Sequence, residues 1–95
     1  MNKYETMYIL NPSLEDERRE ALIQRFADIV KADGGEVESI DEWGKRKLAY
    51  PINYIPEGYY VLMNFSADSN VPAELERNYR IVEDVMRHVI IRKDA

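Results

Sequence analysis

The sequence predicts an α+β domain: a four-stranded antiparallel sheet with two helices on one face, its elements in the order βαββαβ. Three observations predict it. Apolar and polar residues alternate near both ends of the chain and again in its third quarter. Two intervening segments carry apolar residues at helical spacing, and glycine or proline punctuates most changes of period. That order is the ferredoxin-like split βαβ plan, whose right-handed crossovers bring both helices to the same side. The 95 residues make a single domain, 1–95, with room for one core.

Residues 3–10 alternate as a strand, with Lys3, Glu5, Met7 and Ile9 on one face and Tyr4, Thr6, Tyr8 and Leu10 on the other. Asn11-Pro12 ends it. Ser13 offers an N-cap with Asp16 three residues on, so a helix is expected over about 14–32. Leu22, Ile23, Phe26, Ile29 and Val30 form its core stripe, and Gly34-Gly35 supply a positive-φ stop. A second strand spans roughly residues 36–50, where Gly44 suggests a bulge or a sharp twist. Residues 51–58, with Pro51 and Pro56, read as a loop. A third strand over 59–67 alternates Val61, Met63 and Phe65 against Tyr60, Leu62 and Asn64. Ser69 or Asn70 caps a short second helix, with Pro72 in its first turn and Leu75 and Tyr79 on its buried side. The last strand covers about 86–92.

Strand parity separates two sheet faces. Leu10, Val61, Met63, Phe65 and Ile90 share the parity assigned to the helices. The opposite parity holds Lys3, Glu5, Met7, Ile9, Tyr60, Leu62, Asn64, Arg87, Val89 and Ile91. A solvated face of an antiparallel sheet is ordinarily polar. This one carries at least six sizeable apolar groups, the mark of a surface that docks a protein partner. A register slip or a homodimer contact would read the same way, and partner docking is preferred over both.

Charge is placed rather than spread. The chain carries -5 overall, but residues 1–42 hold 5 Lys/Arg against 11 Asp/Glu, while residues 43–95 hold 8 against 7. Lys45-Arg46-Lys47 sit between Trp43 and Tyr50 in a stretch, 43–56, that contains no acid, and Arg87, Arg92 and Lys93 repeat the pattern over 85–93. Lys3 lies on the neighbouring strand. Cations beside rings suit an RNA backbone and its bases. Such clusters are as often a merely solvated surface, and Trp43 is expected to pack rather than to stack on a base. The first and third strands lack the aromatic consensus of a generic RNA-recognition motif.

Catalytic chemistry finds little to work with. The chain has no cysteine, which removes disulfides, thiolate metal sites and thiol nucleophiles and favours the cytoplasm. His88, the only histidine, falls on the helix-facing parity, where a packed imidazole is the expectation; no metal site, cofactor or small-molecule substrate is expected. No signal peptide and no membrane span are expected either.

Four ordered segments then carry a family resemblance. The run Trp43-Gly44-Lys45-Arg46-Lys47-Leu48-Ala49-Tyr50-Pro51-Ile52 is its centre. Tyr4-Glu5 with Leu10-Asn11-Pro12, Glu57-Gly58-Tyr59-Tyr60, and Arg80-Ile81 through Val85 to Arg87-His88 flank it. Together they resemble the bacterial small-subunit ribosomal protein S-six (S6) family over essentially the whole chain. The resemblance implies a non-catalytic, structural role in the cytoplasmic small ribosomal subunit. It further implies pairing with ribosomal protein S-eighteen (S18) and binding of the pair to the central domain of small-subunit rRNA during assembly. Carried over by position, Lys3, Lys45, Arg46, Arg87, Arg92 and Lys93 are expected to approach rRNA. Met7, Ile9, Trp43, Leu48, Tyr50, Tyr60, Leu62, Val89 and Ile91 are expected to meet the protein partner. Two other uses of this architecture are an amino-acid-sensing module and an acylphosphatase-like enzyme. For the enzyme, Leu10-Asn11-Pro12-Ser13-Leu14 lacks the glycine-rich anion cradle.

Overall fold

The computed structural model describes residues 1–52 and 54–93. Its elements are β1 (Asn2–Leu10), α1 (Asp16–Ala32), β2 (Glu36–Ile52), β3 (Ile55–Ala67), α2 (Val71–Ile81) and β4 (Val85–Arg92). The strands pair antiparallel in the order β2-β3-β1-β4, so β1 and β3 are central and β2 and β4 are edges. The predicted fold is the observed one.

Alternation explains the core. Tyr4, Thr6, Tyr8 and Leu10 from β1 and Val61, Met63, Phe65 and Ala67 from β3 are buried on one side of the sheet. Against the apolar members of that set pack Leu22, Ile23, Phe26 and Val30 of α1 and Val71, Leu75 and Tyr79 of α2. Each such side chain contributes roughly 1.5–3 kcal/mol on burial. Tyr8, Phe26 and Tyr79 form an aromatic triangle with centroids 4.7–5.2 Å apart, two of its pairs edge-on. The buried Thr6 hydroxyl ties layers together. Its Oγ1 donates to the Val89 carbonyl at 2.9 Å, leaving the Tyr79 hydroxyl to donate to it at 3.1 Å. Edge strand β4 and helix α2 are thereby both fastened to β1.

Two local expectations fail, each for a physical reason. Ser13 does not cap α1. Its N–H and its hydroxyl both donate to Asn11 Oδ1, at 3.0 and 2.8 Å, closing an Asx turn. Glu15 takes the N-cap position without a side-chain cap bond, and α1 begins at Asp16. The expected loop over 51–58 is largely strand: β2 runs to Ile52, β3 starts at Ile55, and those two residues face each other. Proline is tolerated there because β1 ends opposite Tyr59, so the outer part of the hairpin has no third strand to bond.

Burial holds the Tyr8 and Tyr79 hydroxyls well above the ordinary phenol range. A phenol with a higher pKa in the folded chain than in the unfolded one favours folding below the unfolded value. That contribution is lost as pH climbs past about 10. Among the described residues the Tyr8 hydroxyl has no hydrogen-bond partner. Tyr8→Phe is therefore expected to be neutral or stabilising and to lessen the alkaline loss, whereas Tyr79→Phe should cost about 1 kcal/mol at neutral pH. Urea unfolding at neutral and alkaline pH checks both, and a large destabilisation by Tyr8→Phe would contradict an unpartnered hydroxyl.

Candidate functional site

The face away from the helices is built in cross-strand rows. Trp43 and Gly44, Tyr60, Ile9 and Arg87 make one row. Asp41, Leu62, Met7 and Val89 make the next, and Ser39, Asn64, Glu5 and Ile91 the one after. Among the described residues no helix covers this side: Val89 and Ile91 are about half exposed, Trp43 is 40% exposed, and Met7, Tyr60 and Leu62 are only partly buried. Trp43 packs, as expected, but on this open face rather than in the core. Its ring lies parallel to Tyr60, 6° between planes and 6.4 Å between centroids, and its Nε1 donates to Asp41 Oδ2 at 3.2 Å.

Gly44 arranges this. The pairing of β2 with β3 slips between Glu42 and Gly44, and Gly44 has φ 81°, the bulge expected from its place in the strand. After the slip Lys45 lies opposite Tyr59, Arg46 opposite Gly58 and Lys47 opposite Glu57. The basic triplet is thus divided. Arg46 joins the open face, its guanidinium 5.7 Å over the Trp43 ring and its Nε donating to the Trp43 carbonyl at 3.4 Å. Lys45 and Lys47 alternate to the opposite side. Leu48 returns to the open side, where it and Ile9 bury one another at 7% and 6% exposure. Gly58 lies beneath them, and a Cβ there would collide with Ile9 Cγ2.

The other expected cations occupy different places. Arg87 ends the Trp43 row, at the same end of the sheet as Arg46. Lys3 and Lys93 lie together at the far end: the Lys93 amide donates to the Lys3 carbonyl at 2.8 Å, and Lys93 Nζ donates to Asn64 Oδ1 at 2.9 Å. Along β4 that is about 20 Å from Arg87. Arg92 pairs with Tyr4, has helix-side parity and donates to Asn2 Oδ1 at 3.0 Å. Tyr50, 78% exposed, stands on the outer hairpin. His88 is packed as expected, its ring 5.1 Å from that of Tyr79 and its Nε2 3.9 Å from a Glu76 carboxylate oxygen. Sequence reasoning passes over Asp41, although alternation with Trp43 marks it for the same face. It also places Gly58 in a loop.

A family model described as Ribosomal protein S6 matches residues 3–92. The chain belongs to that family. Curated relatives agree over full length. It is 58% identical to the small ribosomal subunit protein bS6 of Thermoanaerobacter pseudethanolicus and 51% identical to that of Clostridium novyi, with 99% of both chains covered in each case. The fold matches the crystal structure of 30S ribosomal protein S6 from Thermotoga maritima with a TM-score of 0.91 at 32% identity, covering 97% of this chain and 87% of that one. The S6 family is structural and non-enzymatic, and the packed His88 fits it. Among the described residues no helix is long and apolar enough to cross a membrane.

The two strand glycines of this S6 chain differ in what they tolerate. A Cβ on Gly44 meets open space, so Gly44→Ala carries only the strain of a positive φ, about 1–2 kcal/mol. Gly58→Ala must push Ile9 aside; overpacking of that kind costs roughly 1–3 kcal/mol and reshapes the apolar surface. Chemical denaturation of both variants, with backbone amide shifts around Ile9, checks this. Undisturbed Ile9 shifts in Gly58→Ala would contradict the close approach.

Proposed function

We propose that this chain is a structural constituent of the small ribosomal subunit in the cytoplasm, where it pairs through its open sheet face with S18. The pair then docks on the central domain of small-subunit rRNA during assembly. The observation that carries this reading is an apolar field left bare by the chain's own helices, with Arg46 and Arg87 at one end of it. Apolar burial joins the two proteins, at roughly 25 cal/mol per Å² removed from water. Trp43, Tyr60, Leu62, Met7, Val89 and Ile91 are the exposed part of that interface, and Ile9 and Leu48 shape its floor.

RNA contact is local. A chain of net charge -5 repels a polyanion at long range, so a basic partner must supply most of the attraction. Glu5 and Asp41, on the same face as the apolar field, suit such a partner. Arg46 and Arg87 bind phosphate at their end of the sheet. Lys3 and Lys93 serve a second contact at the other end, and Lys45 and Arg92 serve the flanks.

Binding of the chain alone to a central-domain rRNA fragment is expected to be weak, and much tighter once S18 is present. Equal affinity with and without S18 contradicts the pairing. Arg46→Ala together with Arg87→Ala should leave the melting temperature nearly unchanged and flatten the salt dependence of the ternary complex. The log–log slope should fall by roughly 0.7–0.9 for each phosphate no longer neutralised. An unaltered slope removes both arginines from the RNA interface.

A further inference from the structure

We propose that the end of the β2–β3 hairpin is a separate RNA contact, in which the Tyr54 ring stacks on an unpaired base while Lys45 and Lys47 hold the flanking backbone. This rests on the ribosomal reading above and gives a ligand to the side of the hairpin turned away from the partner face. The hairpin outruns the sheet: β1 ends opposite Tyr59, whereas β2 and β3 continue to Ile52 and Ile55. At its end Tyr54 is 100% exposed, so its ring contributes nothing to packing. Its φ is 66°, the one positive φ at a non-glycine position among the described residues. A bulky residue in the left-handed region is strained, and glycine would serve the turn better. An exposed aromatic kept at a strained position has no account in stability and points to contact with a ligand.

Charge selects the ligand. From Trp43 to Pro56 there are three cations and no acid, and Glu57 opposite Lys47 leaves the outer hairpin net positive. The slip at Gly44 puts Arg46 on one side of the hairpin and Lys45 and Lys47 on the other. Cations on both sides with a ring at the end fit a segment entering between nucleic-acid backbones, where every base presents a stacking face. Tyr50 lies in the stretch where the pairing slips again, between Lys47 and Ile52, and is not part of this contact.

The test uses the full chain with S18 bound and a central-domain rRNA fragment. Tyr54→Gly is expected to melt no lower than the parent and to bind RNA roughly tenfold more weakly with an unchanged salt slope, since stacking releases no counterions. Tyr54→Phe should bind like the parent. Lys45→Ala with Lys47→Ala should flatten the slope. Affinity for S18 without RNA should be unchanged in every Tyr54 variant. Parent-like RNA affinity in Tyr54→Gly overturns the proposal, as does a drop in S18 affinity, which would assign the ring to the protein. The arginine variants in the same assay separate the two readings. If they weaken binding and Tyr54→Gly does not, only the hairpin contact falls; if neither does, RNA docking by this chain falls with it.

Discussion

Gly44, at φ 81°, lets β2 carry one residue more than β3 opposes, and the directions of the side chains from Lys45 to Leu48 follow. In a strand of period two, a shift of one residue exchanges the faces. With the extra residue in place, Trp43 lies over Tyr60, Arg46 folds back on Trp43, and Leu48 reaches Ile9 above Gly58. Without it, Lys45 and Lys47 would stand on the partner face and Leu48 would point away from Ile9. The bulge converts a run of like charges into two surfaces with separate tasks.

The two sides of the sheet differ in energy as well as in composition. Between sheet and helices the aromatic triangle packs and the Thr6 relay closes within the chain, so folding rests there. On the other side, Val89, Ile91 and Trp43 remain in contact with water and add little to the stability of the isolated chain. Exposed apolar area of this kind is stabilised only when something covers it. A chain of net charge -5 with such a surface suits a basic protein, and its own arginines then need reach RNA only where the two proteins end.

Much of this is legible in the sequence because β1, β3 and β4 keep strict alternation over the rows that matter. Alternation alone assigns Met7, Leu62, Val89 and Ile91 to one face, and the helical stripe of α1 and the Leu75–Tyr79 pair of α2 are equally plain. β2 is harder, since its pairing slips between Val37 and Ser39, at Gly44 and again between Lys47 and Ile52, and three slips scramble parity. Glycine advertises one of them but not its outcome for Lys45, Arg46 and Lys47. The misplaced N-cap reflects a competition between neighbours, which Asn11 wins for the Ser13 donors. The prolines of the hairpin mislead because they break central strands, whereas here they lie beyond the end of β1. The family motif is readable from residue order alone. What the structure adds is why it holds Gly44 and Gly58: one for a backbone angle, the other for the room it leaves Ile9.

Trp43 is the only tryptophan, so the fluorescence of this chain reports a single point on the β2 side of the open face. The most direct measurement is its emission and acrylamide quenching as S18, freed of tryptophan by substitution to phenylalanine where necessary, is titrated in. The account predicts a shift to shorter wavelength and strong protection, saturating at one partner per chain. Emission and quenching that stay as in the free protein while the two proteins demonstrably associate would contradict it.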